Sequence, residues 1–231
     1  MIHWDAPGPY RVAFSTRLGG VSEGPYAALN LGRMTGDDVQ RVDENRRILC
    51  AAVAAEPERL ALNRQVHSTV VHRAEPGARG QPGDGLWTDE PGQPILAMAA
   101  DCLPIALARR DGAPAVAVLH AGWRGLLDGI VGTGVATLGG ELQAAIGPSI
   151  GPCCYEVGVE VSTLFATAFG ADVVQGRTLD LWATAERALH EAGVHHVLRT
   201  DLCTSCNPEL FFSHRRTGKP RGVQGVIALV A

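Results

Sequence analysis

Residues 115–138 read AVAVLHAGWRGLLDGIVGTGVATL, and the period of the apolar residues changes within this stretch. The run from Ala115 to Leu119 is continuously apolar, which is typical of a buried strand. Beyond Gly122, apolar residues recur at helical spacing, at Leu126, Leu127, Ile130, Val131, Val135 and Leu138. We therefore expect a strand to end near His120 and a helix to begin immediately after it, at a kind of sheet edge where ligands commonly bind.

The flanking sequence predicts further strands and helices in mixed order. Short apolar runs predict strands near 94–100, 104–108, 142–146, 196–200 and 222–230, and Asp111-Gly112 suits the turn of a hairpin between the second run and 115–119. Helical spacing predicts helices near 38–55, 159–169 and 179–192. The breaker-rich segment Glu75–Gly92 predicts one long loop. Because strands and helices do not alternate strictly, we expect an α/β or α+β chain with a mixed sheet, forming one domain over 1–231.

Composition excludes several classes of protein. The chain has 231 residues, 46% hydrophobic and 19% charged, which is enough for a sizeable core without disulfides. Its net charge of −4 offers no general attraction to nucleic acid or to an anionic membrane, so we expect neither partner. The N-terminal segment lacks the basic and apolar parts of a secretory signal, so we expect a cytoplasmic protein whose six cysteines stay reduced. A monomer or a weak homo-oligomer is expected.

Three residues suit a catalytic metal site. Cys102 and His120 stand at strand edges, and His67 lies in a strand-like segment that polar residues interrupt. Two imidazoles and a thiolate leave one position open on zinc, and bound zinc lowers the pKa of water to about 7. Spacing alone does not select this trio, and the alternative is a buried thiol with two hydrogen-bonded core histidines.

The other cysteines and the arginines allow more than one interpretation. Cys203-Thr-Ser-Cys206 is a CxxC motif, but no second such pair follows, and adjacent Cys153 and Cys154 do not easily replace one, so we expect it not to bind metal. Arginine forks suit phosphate, and a basic turn near 215–221 could bind an anion or could be a solvated hairpin tip.

Seven blocks of sequence, in order, carry a family resemblance. They are FSTRLGGVS (14–22), ALNLG (28–32), QVHS (65–68), ADCLP (100–104), HAGWRG (120–125), AIGPSIGPCCYE (145–156) and FSHRR (212–216). Together they closely resemble the bacterial family once labelled multicopper polyphenol oxidase or laccase, also known as the peptidoglycan editing factor family, whose members include purine nucleoside phosphorylases. One departure is Trp87, where the family usually has a small aliphatic residue, and this could alter the shape of the substrate site.

The resemblance implies a fold, a metal and an activity. It implies a layered α/β/β/α domain related to cysteine hydrolases of bacterial deamidating toxins, with a metal held by His67, Cys102 and His120. Zn²⁺ is the expected ion, and Cu²⁺ remains an alternative. The implied activities are phosphorolysis of adenosine, inosine and methylthioadenosine and hydrolytic deamination of adenosine, so purine nucleosides and phosphate are the expected partners.

Roles for individual residues follow as hypotheses from that chemistry. Cys102, with Asp101 or Glu156 as a proton shuttle, is expected to be catalytic. The residues expected to bind substrate or phosphate are Arg17, Asn30, Gln65, Asp84, Arg124 and Arg216. Trp123 and Phe212 are the expected stacking partners of the purine.

Two other enzymatic readings stay open at this stage. Cys102 with His120 could form a Cys-His amide hydrolase acting on a peptidoglycan precursor. A laccase would need on the order of ten histidines, and the chain has eight, so only a single-copper phenol oxidase remains from that attribution. A non-catalytic binding protein is the third reading.

Overall fold

The computed structural model describes residues 1–231, and its core is built on two six-stranded mixed sheets. The first sheet contains β1 (Ile2–Trp4), β2 (Tyr10–Phe14), β3 (Ala61–Arg64), β5 (Arg79–Pro82), β7 (Ile95–Ala99) and β14 (Gln224–Val230). Their spatial order is β1-β2-β14-β7-β3-β5, and β3 runs parallel to both of its neighbours.

The second sheet contains β4 (Val71–Arg73), β6 (Gly85–Thr88), β8 (Leu103–Arg109), β9 (Val116–Ala121), β10 (Leu142–Ile146) and β13 (His196–Arg199). Its spatial order is β13-β10-β8-β9-β6-β4. A separate two-stranded ribbon pairs β11 (Val174–Gln175) with β12 (Thr178–Leu179).

Helices cover the outer faces of both sheets. They are α1 (Val39–Ala52), α2 (Trp123–Leu127), α3 (Ile130–Leu138), α4 (Val159–Phe169), α5 (Leu181–Glu191) and α6 (His214–Thr217), with 3-10 turns at Gly24–Tyr26, Pro57–Arg59 and Ala171–Val173. α1 packs on the first sheet, and α3 to α5 pack on the second. A third apolar cluster fills the space between the two sheets, so the layers run helix, sheet, sheet, helices. No helix is both long and apolar enough to cross a bilayer.

The structure confirms the mixed α/β class and corrects two local predictions. β8 and β9 form the predicted antiparallel hairpin. The helix predicted after Gly122 is two helices, because Gly129 adopts a positive φ of 95° and breaks it between α2 and α3. The predicted loop 75–92 is wrong in part, since it contains β5 and β6, whose pairing partners are distant in sequence.

Candidate metal centre

Strand pairing brings two of the three predicted ligands to one edge of the second sheet. Leu103 pairs with Ala121 in the β8–β9 hairpin, so Cys102 and His120 lie at the same end of adjacent strands. His67 comes from the loop that joins β3 of the first sheet to β4 of the second. The donor atoms of the three residues lie within 4.8 Å of one another, and we call them the three-donor site.

Within the three-donor site the side chains face a common point. His67 Nε2 lies 3.8 Å from the Sγ atom of Cys102, and the two imidazole rings meet edge to face with centroids 4.9 Å apart. His120 is buried, Cys102 is half-buried and His67 is exposed. The site therefore opens to solvent on the side of His67.

Asp84 holds both histidines in position through hydrogen bonds to the ring of His120 and to the backbone of His67. Its Oδ1 accepts a 2.8 Å hydrogen bond from Nδ1 of His120, which leaves Nε2 free to bind a metal. The same carboxylate accepts backbone hydrogen bonds from Val66, His67 and Ser68, and it therefore holds the loop that carries His67. Burial opposes ionisation of Asp84, but the contacts with His120 and Ser68 prevail and hold its pKa far below the ordinary value. Its geometry supports orientation of ligands rather than the predicted contact with substrate.

The charges of Cys102 and His120 stabilise each other. Burial by itself would raise the pKa of the Cys102 thiol, but the positive charge of His120 and hydrogen bonds from both imidazoles lower it to about 6. Burial likewise opposes charging of His120, yet the Cys102 thiolate and the Asp84 carboxylate raise its pKa to about 9. The environment thus favours the thiolate, which is the form of cysteine that binds metals and acts as a nucleophile.

The residues present fit a zinc-sized ion. Thiolate sulfur and imidazole nitrogen are ligands that zinc binds, and three protein ligands leave a fourth tetrahedral position free, as in catalytic zinc sites. Gly122 leaves the necessary space, because a Cβ atom there would lie 2.5 Å from Cδ2 of His67 and 3.2 Å from Sγ of Cys102. The donor set also accepts Cu²⁺, so it does not by itself choose the metal.

The two predicted proton shuttles differ in position. Asp101 is buried beside Cys102, with a positive φ of 91°. Its carboxylate accepts hydrogen bonds from Oγ1 of Thr204 at 2.6 Å and from the backbone of Arg215 at 2.7 Å, so it connects its own loop to the 201–207 loop and to the start of α6. Glu156 is exposed and pairs with Arg177 at 2.9 Å. That pairing does not support a proton shuttle at Glu156.

Two of the predicted phosphate-binding arginines are largely occupied by backbone. Arg17 donates to the carbonyls of Ala27 and Pro208 and lies over the ring of Phe212. Arg216 donates to carbonyls of the 204–205 turn and of Phe211. Their geometry supports loop fastening more than phosphate binding, and the contact with Arg17 also covers the buried Phe212 ring that was expected to stack on a purine.

Arg124 remains available for a ligand. It is exposed in α2, its guanidinium lies over the Trp123 ring at 4.4 Å, and it makes no side-chain hydrogen bond to protein. Trp87, the departure from the family pattern, packs into the core of the second sheet beside Arg73. The position of Trp87 gives no support to an effect on substrate shape.

Asn30 and Gln65, both predicted to bind substrate, have hydrogen-bond partners within the protein, and Gln65 also lines the basic cavity described below. The Asn30 side chain donates to Thr35 and Asp37 and accepts from the backbone of Gly32 and Val223. The Gln65 amide pairs with both backbone groups of Met98. Both side chains stabilise the loops that surround the site.

Sequence reasoning missed Tyr155, which belongs to the surroundings of Cys102. Burial raises the pKa of Tyr155 to about 12, and the negative charges of Cys102 and Asp101 add to this effect while Arg215 and Arg124 oppose it. The tyrosine lies next to the vicinal cysteines in a block that carried the family resemblance, and that block was its only signal in the sequence.

Sequence reasoning also missed a basic cavity of about 390 Å³. Six cationic side chains line it and no carboxylate does: Arg33, Arg46, Arg64, Arg79, Lys219 and Arg221. Burial lowers the pKa of Arg221, while the charges of Asp101 and Cys102 partly restore it, which places this end of the basic cavity within electrostatic reach of the three-donor site. The cations come from five separate segments, so no local motif reveals the cavity.

Comparison with known proteins agrees with this architecture. A family model described as multi-copper polyphenol oxidoreductase laccase matches residues 11–230. A relative from Pseudomonas aeruginosa, purine nucleoside phosphorylase PA4543, is 38% identical over 94% of this chain and 92% of its own. Purine nucleoside phosphorylase YfiH of Escherichia coli K12 is also 38% identical, over 92% of this chain and 91% of its own.

Solved structures extend the agreement to the fold. Protein NMB0706 of Neisseria meningitidis superposes with a TM-score of 0.89 at 34% identity, covering 98% of this chain and 96% of that one. The fold and the His/Cys site together define an α/β protein with a candidate metal centre. The chain belongs to the multi-copper polyphenol oxidoreductase laccase family, whose relatives include proteins named purine nucleoside phosphorylase.

Proposed function

We propose that this chain is a zinc-dependent purine nucleoside enzyme that phosphorolyses adenosine, inosine and methylthioadenosine and also deaminates adenosine by hydrolysis. The names of the relatives support the phosphorylase class. The observation that carries the proposal is that the chain combines a basic cavity suited to an anion with a three-donor site suited to a catalytic metal; Gln65, which lines the cavity, is two residues before His67 in the chain.

The lining of the basic cavity contains six cationic side chains and no carboxylate, so the cavity would attract an anion. Nη1 of Arg46 and Nε of Arg221 are buried without a hydrogen-bond partner. Burial lowers the pKa of Arg46 to about 10, and repulsion from Arg79 and Arg33 adds to this effect. Phosphate would supply both the missing negative charge and acceptors for the unpaired donors.

Phosphorolysis needs positioning more than covalent help from the protein. A phosphate oxygen bonds to C1′ of the ribose as the glycosidic bond breaks, and the electron pair leaves with the purine. Tyr155 is protonated at neutral pH, as an ordinary tyrosine also is, and its raised pKa extends this to more alkaline pH, so its hydroxyl can donate a hydrogen bond to the departing base. Arg124 has a guanidinium free to contact the nucleoside or the phosphate.

The hydrolytic deamination of adenosine would take place at the three-donor site. A zinc ion there would supply Lewis acidity towards water or a substrate oxygen. Asp84 keeps His120 in the tautomer that exposes Nε2, and it keeps the His67 loop in place. Asp101, held by Thr204 and Arg215, fixes the loops next to Cys102.

Product analysis tests the proposal directly. Purified protein loaded with zinc is incubated with adenosine, inosine or methylthioadenosine, with and without phosphate, and the products are separated. We expect free base and ribose 1-phosphate (5-methylthioribose 1-phosphate from methylthioadenosine) only when phosphate is present, and inosine from adenosine without phosphate. Release of free base independent of phosphate, or no turnover of any nucleoside, would contradict the proposal.

Arg221→Gln tests the place of phosphate. A charged hydrogen bond contributes about 1.5–3 kcal/mol, so the KM for phosphate should rise roughly tenfold to a hundredfold. The matched control is Arg110→Gln, an arginine that pairs with Glu141 at the surface, and its KM should stay unchanged. An unchanged phosphate KM in Arg221→Gln would place phosphate elsewhere.

A second candidate function is favoured by the Asp84–His120–Cys102 series, which has the order of a nucleophilic triad. In this reading Cys102 attacks an amide of a peptidoglycan precursor and His120 moves the proton. Bound metal would occupy the thiolate, so the two functions differ in metal content. Rapid alkylation of Cys102 in protein as purified, with loss of an amidase activity that chelators do not affect, would favour the hydrolase.

A single-copper phenol oxidase would use the same three-donor site, because two imidazoles and a thiolate also accept Cu²⁺. Two clusters of three or more potential metal ligands occur in the chain, and only one of them contains histidine. A multicopper centre of the laccase type requires several imidazole clusters. Metal analysis of the protein as purified decides between zinc and a single copper.

A further inference from the structure

Four cysteines outside the candidate active site converge on one point. Cys153 and Cys154 lie in the loop after β10, whereas Cys203 and Cys206 lie in the loop between β13 and α6. All four Sγ atoms lie within 4.8 Å of one another, and none is in a disulfide. We call this group the four-thiol cluster. The sequence-based expectation that the vicinal pair could not complete the CxxC motif does not match this geometry.

The spacing suits four ligands around one ion. Zinc binds thiolate sulfur at about 2.3 Å, so the sulfurs of a tetrahedral site lie about 3.8 Å apart. Cys206 Sγ lies 3.5 Å from that of Cys153 and 3.4 Å from that of Cys154, and the remaining pairs fall within the 4.8 Å limit. Cys206 is therefore shared by two partners at nearly equal distance, which a single disulfide would not require.

A backbone amide donates to one sulfur of the cluster. The N–H of Gly151 donates to Sγ of Cys203 at 3.3 Å. Amide donors around a CxxC turn orient the sulfurs and stabilise thiolates bound to a metal. The four-thiol cluster thus has four potential metal ligands and a backbone hydrogen bond that orients one of them.

The cluster connects two loops that form the wall of the three-donor site. Residues 149 and 203 form a bridge, and the loop of Cys154 accepts a hydrogen bond from Arg215 at 3.1 Å. Thr204, next to Cys203, donates to Asp101, the neighbour of Cys102. An ion held by the four thiols would fix Tyr155 and Thr204 relative to Cys102.

We propose that Cys153, Cys154, Cys203 and Cys206 form a structural zinc site, separate from the three-donor site, that fastens the 147–157 loop to the 201–207 loop. Four thiolates complete the coordination of zinc, so this second ion has no open position for chemistry. The proposal does not depend on which reaction the three-donor site catalyses.

Metal counting tests the second site. Full-length protein is purified under reducing conditions, equilibrated with excess Zn²⁺, freed of loosely bound ion, and analysed for zinc per chain. We expect two ions in the wild type, one in Cys153→Ser/Cys206→Ser and one in His67→Ala. Cys50→Ala is the matched control, because Cys50 is a buried residue of α1 in another part of the core, and it should retain two ions.

Thiol protection provides a readout that does not need any variant to fold. In native zinc-loaded wild type the four cysteines should resist alkylation, and a chelator should make exposed Cys153 and Cys206 reactive. Cobalt substitution should give strong thiolate-to-metal absorption that falls sharply in the double variant, leaving only the weaker contribution of Cys102. One zinc per chain with all four thiols reactive, or a disulfide within the cluster in protein kept reduced, would overturn the proposal.

Discussion

The three-donor site and the four-thiol cluster differ in how completely they surround an ion. The first offers two imidazoles and one thiolate, draws them from β9 and from two loops that join the sheets, and leaves a side open at His67. The second offers four thiols from two loops at one edge of the second sheet. A metal ion with a free coordination position can bind substrate or water. A metal ion whose coordination is completed by protein ligands instead stabilises the fold.

Their supporting groups differ in the same way. The ligands of the three-donor site are held by a buried carboxylate, Asp84, which fixes a histidine tautomer. The sulfur of Cys203 in the four-thiol cluster accepts a hydrogen bond from a backbone amide, that of Gly151. A side-chain support can be removed by substitution, so the contrast between the two sites can be tested one group at a time.

Cys102→Ala should have the largest effect. It removes the sulfur donor, so phosphorolysis and deamination should both fall to background, and zinc per chain should fall by one. Activity assays and metal analysis on the same preparation measure this. Phosphorolysis that survives the substitution would show that the metal serves deamination only. Loss of both ions would show that the two sites are not independent.

Gly122→Ala should have the second-largest effect. It adds a methyl group beside the three-donor site and removes no metal ligand. The added Cβ would meet His67 and Cys102 at 2.5 and 3.2 Å, so His67 must move away and zinc should bind the three-donor site far more weakly. The matched control is Gly132→Ala in α3, where an added Cβ meets nothing within 4 Å. This substitution should raise the free energy of unfolding by about 0.5–1 kcal/mol. Competition with a chelator measures affinity, and an unchanged value for Gly122→Ala would mean that His67 is not a ligand.

Asp84→Asn should have a smaller effect on the same site. Loss of an outer carboxylate that orients a histidine ligand typically lowers metal affinity by about 10–100-fold. The second ion should stay bound, because Asp84 does not touch the four-thiol cluster. Titration with a zinc-competing chelator, following each site separately by cobalt absorption, checks both statements. Equal weakening of both sites would contradict the separation.

Prediction from sequence was most accurate where the signal was local. The change of apolar period at Gly122 located β9 and the following helix. β5 and β6 were missed because their partners are distant in sequence and β5 is exposed and rich in turn residues. A strand without its own apolar pattern cannot be identified from a single sequence.

For the candidate site, the residue types were easier to predict than their partners. His67, Cys102 and His120 were identified by chemistry and family resemblance, and the structure brings them together. Arg17 and Arg216 were expected to bind phosphate, but backbone carbonyls of distant loops occupy them. Whether an arginine is free depends on every segment around it, which sequence spacing does not report.

The sequence by itself determined the mixed α/β class, the strand-to-helix junction and the set of side chains able to bind a soft divalent ion, because periodicity and donor chemistry belong to the residues themselves. Only the tertiary structure decided that four cysteines from two loops come together, that Asp84 accepts hydrogen bonds from both His67 and His120, and that six cations line one cavity. Those facts depend on the packing of two sheets, which brings together segments that share no local pattern.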